Sequence, residues 1–153
     1  RTLRLDYIFA GNITNQHAFL DEMVAYDQWN GRKVNLSKIL LEGNAQIRVR
    51  DFHSRNIIYV QSFSTLFHEW LTLEEAKKEN RSFENSYLIP YPKNDVIIEI
   101  VTFLKNREEK IMLSHVVNPK DILIRKNHNK NVKSQILHKS EDENAINIAI
   151  VAE

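Results

Sequence analysis

The sequence predicts an all-β fold: a two-sheet antiparallel β-sandwich, immunoglobulin-like or jelly-roll in style, with one short helix. Three observations predict this fold. The chain holds 17 Ile and 10 Val against 8 Ala, the reverse of the usage in helical bundles. Apolar residues recur with a period of two along most segments, as they do in strands with one buried face. Gly and Pro number only 3 each, but 16 Asn supply residues that suit the turns between strands.

The first predicted strand runs from Leu3 to Phe9 and ends at Gly11-Asn12. Its odd-numbered residues are apolar and share one face, which we expect to be buried. Segment 15–27 permits either a helix or a strand, and the alternation in Phe19-Asp21-Met23 favours the strand.

Two antiparallel hairpins are predicted from paired alternating segments. The first joins 45–51 to 57–63 across a polar connection, and the second joins 95–104 to 111–117, with Ile111 expected on the inward face. Shorter strands are predicted at three further segments: 86–91, 121–126 and 145–151.

One helix is predicted over 73–79. Thr72 and Glu75 have the spacing of a capping box, in which the hydroxyl and the carboxylate each accept a hydrogen bond from the other residue's free amide.

Composition excludes several classes of protein. A chain of 153 residues that is 42% hydrophobic and 27% charged is neither disordered nor too small for one well-cored domain. It contains no run of about 20 nearly uncharged apolar residues, so we expect no membrane span. Its 21 basic and 20 acidic residues leave a net charge of +1, which removes the simplest argument for a nucleic-acid partner.

The predicted domain organisation is a β-sandwich over 1–140, followed at 141–153 by its last strand or by the start of another domain. The chain begins without Met or a signal core and ends within an apolar run, so we expect a processed or truncated piece of a longer protein. Segment 120–139 is basic but has no interleaved aromatic residue, so a solvated loop is favoured over a phosphate-binding surface.

No catalytic or metal-binding motif is predicted in this chain. His68-Glu69 resembles the start of a zinc-protease helix, but that motif needs a second His four residues after the first, where this chain has Thr72. The chain has no Cys and no Gly-x-Ser-x-Gly elbow. His115 is interpreted as a core histidine with a satisfied hydrogen bond, and the remaining histidines show no ligand spacing: His17, His53, His128 and His138.

Aromatic residues lie near the predicted chain reversals, where a sandwich could present flat rings to a sugar. Packing at the corners of the sandwich is the commoner role for such residues. The candidates for a binding surface are Trp29, Trp70 and Tyr91, and Tyr91 lies between two prolines that make its setting rigid.

Five runs that span most of the chain carry a further signal: Leu3–Asn12, Ser62–Leu71, Phe83–Pro92, Asp121–Ile124 and Ile148–Glu153. These runs resemble a known family, the amino-terminal domain of the IgA-type zinc metallopeptidases secreted by gut bacteria. The resemblance implies a β-sandwich that precedes a peptidase domain, with the final run opening that domain. The family's zinc-binding His-Glu-x-x-His would follow Glu153, so no catalytic or zinc-binding role is carried onto a residue of this chain.

Two functions are therefore expected. The first is a non-catalytic domain that packs against the downstream peptidase domain and assists it, in a secreted, periplasmic or cell-surface protein whose zinc lies in that other domain. The alternative is a glycan- or protein-binding module for host glycoprotein or peptide substrates, in which Trp29, Trp70 or Tyr91 would supply the stacking surface.

Overall fold

A computed structural model describes residues 1–38, 43–103, 106, 108–127, 135–142 and 148, and these form two packed β-sheets. The predicted β-sandwich is thereby confirmed. The strands of the described residues are β1 Thr2–Gly11, β2 Gln16–Tyr26, β3 Ala45–Asp51, β4 Ile57–Phe63, β5 Arg81–Pro90, β6 Val96–Phe103, β7 Glu109–Val117 and β8 Ile124–Lys126. Between β4 and β5 lie the short helix α1, Leu66–Trp70, and a 3-10 helix, Glu74–Lys77.

The first sheet has the strand order β5-β1-β2-β8 and the second has the order β4-β3-β6-β7. All neighbouring strands are antiparallel except β2 and β8, which run parallel. Both predicted hairpins are confirmed, as β3-β4 and β6-β7, and the ambiguous segment 15–27 forms strand β2. The strand predicted at 86–91 begins earlier, at Arg81, and the one at 121–126 is reduced to β8. Of segment 145–151 only Ile148 is among the described residues, so that strand stays a prediction.

The core lies between the sheets and is built from the inward faces of their strands. Alternate residues of β1 are fully buried, as its sequence pattern predicts. Side chains from β3 and β6 meet them from the second sheet, so that the largest fully buried residues come from both layers: Tyr7, Phe9, Phe67, Leu3, Leu5, Ile47, Ile89, Ile98, Ile100, Val96, Val101 and Val117.

The inward position predicted for Ile111 is wrong, because a bulge interrupts the pairing of β6 with β7. Ile100 pairs with Leu113 while the next residue, Val101, pairs with Ile111, so Met112 is an extra residue on β7. Beyond an extra residue, the side chains of a strand alternate between its two faces with a shift of one position. Ile111 is accordingly 55% exposed, and Met112 packs against the core in its place.

The capping box predicted at Thr72 is also wrong, and the α-helix begins seven residues earlier than the sequence indicates. Thr65 is the cap of α1: its Oγ1 accepts a hydrogen bond from the amide of His68 at 3.0 Å. The Thr72 hydroxyl instead donates to the carbonyl of Glu69 at 2.7 Å. The predicted segment 73–79 contains the 3-10 helix, whose N-cap Leu73 makes no side-chain capping bond.

Two histidines are partly buried against the core, and one of them fulfils its predicted role. Nε2 of His115 lies 2.7 Å from the hydroxyl of Tyr7. Burial raises the pKa of the Tyr7 phenol above its ordinary value, so the hydroxyl keeps its proton and can donate it to the neutral imidazole. Burial lowers the pKa of His115 and of His68, because a charged imidazolium is poorly solvated there.

These histidines predict that the domain is destabilised by mild acid. A histidine whose pKa is lowered by folding contributes full stability above its unfolded pKa of about 6.5, and that contribution is lost as the pH falls below this value. We expect the melting temperature to fall between about pH 7 and pH 5, before most carboxylates titrate. Thermal melts across this range should show that the melting temperature depends less steeply on pH in the double variant His68→Gln/His115→Gln than in the parent. The control His17→Gln changes an exposed histidine and should leave the slope of melting temperature against pH as it is in the parent. An equally steep slope in the double variant would show that His68 and His115 do not cause the acid destabilisation.

Candidate functional site

A cleft of about 930 Å³ lies where both sheets contribute residues to its lining. Its volume is at the upper end of the range of small-ligand sites. The loop 27–32, which follows β2, supplies most of the wall. The other lining residues come from β1, β2, β4 and β5: Thr2, Tyr26, Tyr59, Gln61 and Leu88. Residues distant in sequence therefore meet in one site, which we call the Trp29 cleft.

Two aromatic rings of the cleft meet edge to face. The centroids of Trp29 and Tyr59 are 5.9 Å apart and their planes are inclined by 84°. The indole Nε1 of Trp29 donates to the backbone carbonyl of Arg32 at 2.9 Å. Gly31 lets the ring lie against the backbone, since a Cβ there would be 2.3 Å from Cζ2 of Trp29. The orientation of Trp29 is thus held by the loop itself.

Arg32 fastens this loop to the second sheet. Its Nη2 donates to the carbonyls of Leu36, at 3.0 Å, and of Val60 on β4. The guanidinium also lies 5.4 Å from the ring centre of Tyr59. Burial raises the pKa of the Tyr59 phenol, and the Arg32 charge opposes that rise only in part. Nη2 of Arg32 is therefore committed to structural contacts, while its Nε is buried with no hydrogen-bond partner among the described residues.

The same loop covers part of an outer strand. β4 is at one edge of its sheet, where unpaired backbone groups would otherwise invite another strand. The amide of Val60 donates to the carbonyl of Leu36 at 2.8 Å, and the carbonyl of Val60 accepts from Arg32. Both backbone groups of Val60 are thereby satisfied within the domain.

A second concavity, of about 480 Å³, lies beside α1 and includes His68 and Glu69. Nδ1 of His68 is 2.8 Å from the hydroxyl of Thr65, which also caps the helix. A zinc site needs three or four suitable ligands around one point. Among the residues that the structure describes, no group of three or more His, Asp or Glu side chains is arranged to hold a metal ion. These residues do not fit the zinc of a peptidase centre.

The three aromatic residues predicted to bind a ligand have different environments. Trp29 lines the cleft, together with Tyr26, another of the aromatic residues near chain reversals. Trp70 is 5% exposed and packs on Phe67 in the core. Tyr91 is half-buried, donates its hydroxyl to the carbonyl of Pro119 at 2.6 Å, and has Arg1 over its ring. The binding role of these residues stays a prediction.

Sequence reasoning did not find the cleft residues that come from β4. Tyr59 and Gln61 belong to a hairpin about 30 residues from Trp29, and nothing in their local pattern separates them from other strand residues. The signal that was available is the cluster Tyr26, Trp29 and Arg32, in which an aromatic residue at the end of a strand is followed by a second aromatic residue and a cation.

No helix among the described residues is both long enough and apolar enough to cross a membrane.

Comparison with known proteins assigns the family. No curated protein matches the chain. A family model described as the peptidase M64 N-terminus matches residues 1–114, a range that includes every residue lining the Trp29 cleft and the whole of α1. Because this match covers well over half of the sequence, the chain belongs to the peptidase M64 N-terminus family.

Proposed function

We propose that this chain is a non-catalytic N-terminal domain of a secreted zinc metallopeptidase, and that it packs against the catalytic domain and assists it. The family match carries this proposal, since it assigns the chain to the N-terminal part of a peptidase. We further propose that the zinc is held by the catalytic domain, and that host glycoproteins or peptides, IgA among them, are the substrates. A gut-bacterial source and a secreted, periplasmic or cell-surface location belong to the same proposal and are supported by the sequence resemblance alone.

The exposed apolar side chains suggest where the catalytic domain packs. Of the fourteen large hydrophobic side chains exposed in the described part of the chain, seven follow Lys110. Adjacent large apolar side chains that are exposed to water are typical of an interaction site. The most exposed of these residues, Ile122, is 95% accessible, and its neighbour Leu123 is 69% accessible.

Ile122 and Leu123 lie on an ordered turn between β7 and β8. The amide of Asp121 donates to the carbonyl of Asn118 at 3.0 Å, and the Asp121 carboxylate accepts from the amide of Leu123 at 2.9 Å. Two large apolar side chains on a hydrogen-bonded turn lose little conformational freedom when they are buried by a partner. We therefore place the docking contact at this turn.

The test compares the full-length protein with the isolated chain. In the full-length protein, Ile122→Asp/Leu123→Asp should weaken the coupling between the domains by about 2 kcal/mol, since burying each side chain contributes roughly 1.5–3 kcal/mol when complete. For a domain of this size that lowers the melting temperature of the N-terminal domain by roughly 4–8 °C. In the isolated chain the same double variant should melt as the parent does, because both side chains are already in water.

The matched control is Val34→Asp, which changes an apolar side chain that is 70% exposed and outside the turn. It should leave both melting temperatures close to those of the parent. If the parent chain melts at one temperature with and without the catalytic domain, the packing proposal is wrong. If the catalytic domain raises the melting temperature of the double variant as much as that of the parent, the contact lies elsewhere on the surface.

A further inference from the structure

We propose that the Trp29 cleft is a binding site for a neutral oligosaccharide. This proposal is independent of domain packing, because the residues of the cleft and those of the β7-β8 turn do not overlap. The charge of the cleft, its aromatic surfaces and its engaged hydrogen-bonding groups favour this ligand.

The charge of the cleft disfavours an anionic ligand. Its lining contains one cation, Arg32, whose Nη2 already donates to two backbone carbonyls and whose guanidinium lies over Tyr59. The Nε of Arg32 has no hydrogen-bond partner among the described residues, but it is buried. The one acid in the lining, Asp27, is exposed to solvent. The lining also has three amides, which donate to and accept from hydroxyl groups: Gln28, Asn30 and Gln61. Oε1 of Gln61 accepts from the Tyr59 hydroxyl at 3.3 Å, while its amide nitrogen can donate to a ligand. This set suits a ligand that is rich in hydroxyls and carries no charge.

The aromatic surfaces supply the apolar part of the site. Tyr26, Trp29 and Tyr59 all line the cleft, and the last two stand nearly perpendicular to each other. A pyranose ring has an apolar face of C–H groups that packs flat on an aromatic ring, while its hydroxyls point sideways to polar partners. Ligand sites in general combine such apolar walls with a few fixed polar groups.

Two common ways of binding a peptide are disfavoured by the hydrogen bonds of the loop. Aromatic grooves that take proline-rich segments use their ring surfaces together with free donors for the peptide carbonyls. Here the Trp29 indole N–H is engaged by the carbonyl of Arg32. Addition of a peptide as a new strand needs open backbone groups on the edge of a sheet, and those of Val60 on β4 are engaged by Leu36 and Arg32.

The site is also preorganised. Gly31 and the Arg32 carbonyl hold Trp29 in place, and Arg32 ties the loop to β4. A ring that is already positioned loses little entropy on binding, so its contact area contributes to affinity.

The experiment titrates the chain with chitotetraose, mannotetraose, maltotetraose and xylotetraose, and with tetragalacturonic acid as the anionic counterpart. The two tryptophans give two indole N–H signals by NMR, which Trp70→Phe assigns. At least one neutral tetrasaccharide should shift the Trp29 signal to saturation and leave the Trp70 signal in place. Trp29→Ala removes that signal, so its affinity is compared with that of the parent by isothermal titration calorimetry. It should weaken the binding about 10-fold or more, as truncation of a central aromatic contact does.

Two further variants separate binding from folding. Asn30→Ala removes an exposed amide of the cleft and should weaken binding in a protein that melts as the parent does. Phe19→Ala removes a ring that is 54% exposed on β2 but outside the cleft, and should leave the affinity unchanged. The proposal is overturned if no neutral tetrasaccharide gives a saturating shift, if binding survives Trp29→Ala, or if tetragalacturonic acid or a proline-rich peptide binds more tightly than the neutral sugars.

Discussion

Replacement of Trp70 by Ala is expected to lower the free energy of unfolding by about 3–5 kcal/mol, the range for removing a large buried aromatic ring. Trp70 is the last residue of α1 and is 5% exposed. The centroid of its ring lies 6.1 Å from that of Phe67 and 6.0 Å from that of Phe83. Domains of this kind are stable by only about 5–15 kcal/mol, so the variant should lose much of its stability. Urea unfolding followed by circular dichroism measures the change, with an unchanged m-value showing that only stability was altered.

Two controls define what the ring contributes. Trp70→Phe keeps an aromatic ring in the core, and the indole Nε1 that it removes has no hydrogen-bond partner among the described residues. We expect a smaller loss, of about 1–2 kcal/mol. Leu66→Ala changes a side chain of the same helix that is 66% exposed, and should cost less than about 0.5 kcal/mol. If Trp70→Ala were as mild as Leu66→Ala, the ring would be at the surface and available to a ligand.

Gly11→Ala is expected to cost about 3 kcal/mol at the turn that joins β1 to β2. The backbone of Gly11 has a φ of +126°, which residues with a side chain rarely adopt. A Cβ there would also lie 1.9 Å from the carbonyl oxygen of Asn15. That carbonyl accepts from the amide of Asn12 at 2.8 Å, so relieving the clash disturbs a hydrogen bond of the turn. Urea unfolding measures the loss, and hydrogen exchange at the turn amides locates it.

The control for Gly11→Ala is Ser82→Ala, which introduces the same residue at an exposed position of β5 opposite the end of β1. It should change the free energy of unfolding by less than about 0.5 kcal/mol. A Gly11→Ala variant as stable as Ser82→Ala would show that the turn tolerates a side chain and that the positive φ is dispensable.

The strands were largely predictable because their pattern is local. In β1 every second residue is apolar, and a strand places every second side chain on one face whatever the rest of the chain does. The same pattern predicted both hairpins and favoured a strand over a helix for segment 15–27, which the structure shows to be β2. The pattern predicted the wrong face for Ile111, because the bulge at Met112 depends on how β7 pairs with β6. A bulge is a property of two strands, and the sequence of one strand does not show it.

The candidate site was predictable only in part. Trp29 was identified from its place near a chain reversal, and it does line the cleft. The sequence did not identify Tyr59 and Gln61 as cleft residues, nor the hydrogen bonds of Arg32 to backbone carbonyls. These features depend on the loop 27–32 folding back over β4. The sequence also did not separate Trp29 from Trp70, because the exposure of an aromatic ring is decided by what packs on it.

By itself, the sequence determined the class of fold, the period and order of the main strands, and the absence of a local zinc or nucleophile motif. Tertiary structure decided which of two threonines begins the α-helix, which tryptophan is buried and which lines a cleft. Both Thr65 and Thr72 have residues after them that suit a helix, but only the helix that Thr65 caps buries Phe67 and Trp70 against the core. Local capping contributes about 1 kcal/mol, whereas burial of two large rings contributes several times more, so packing decides between the two starts.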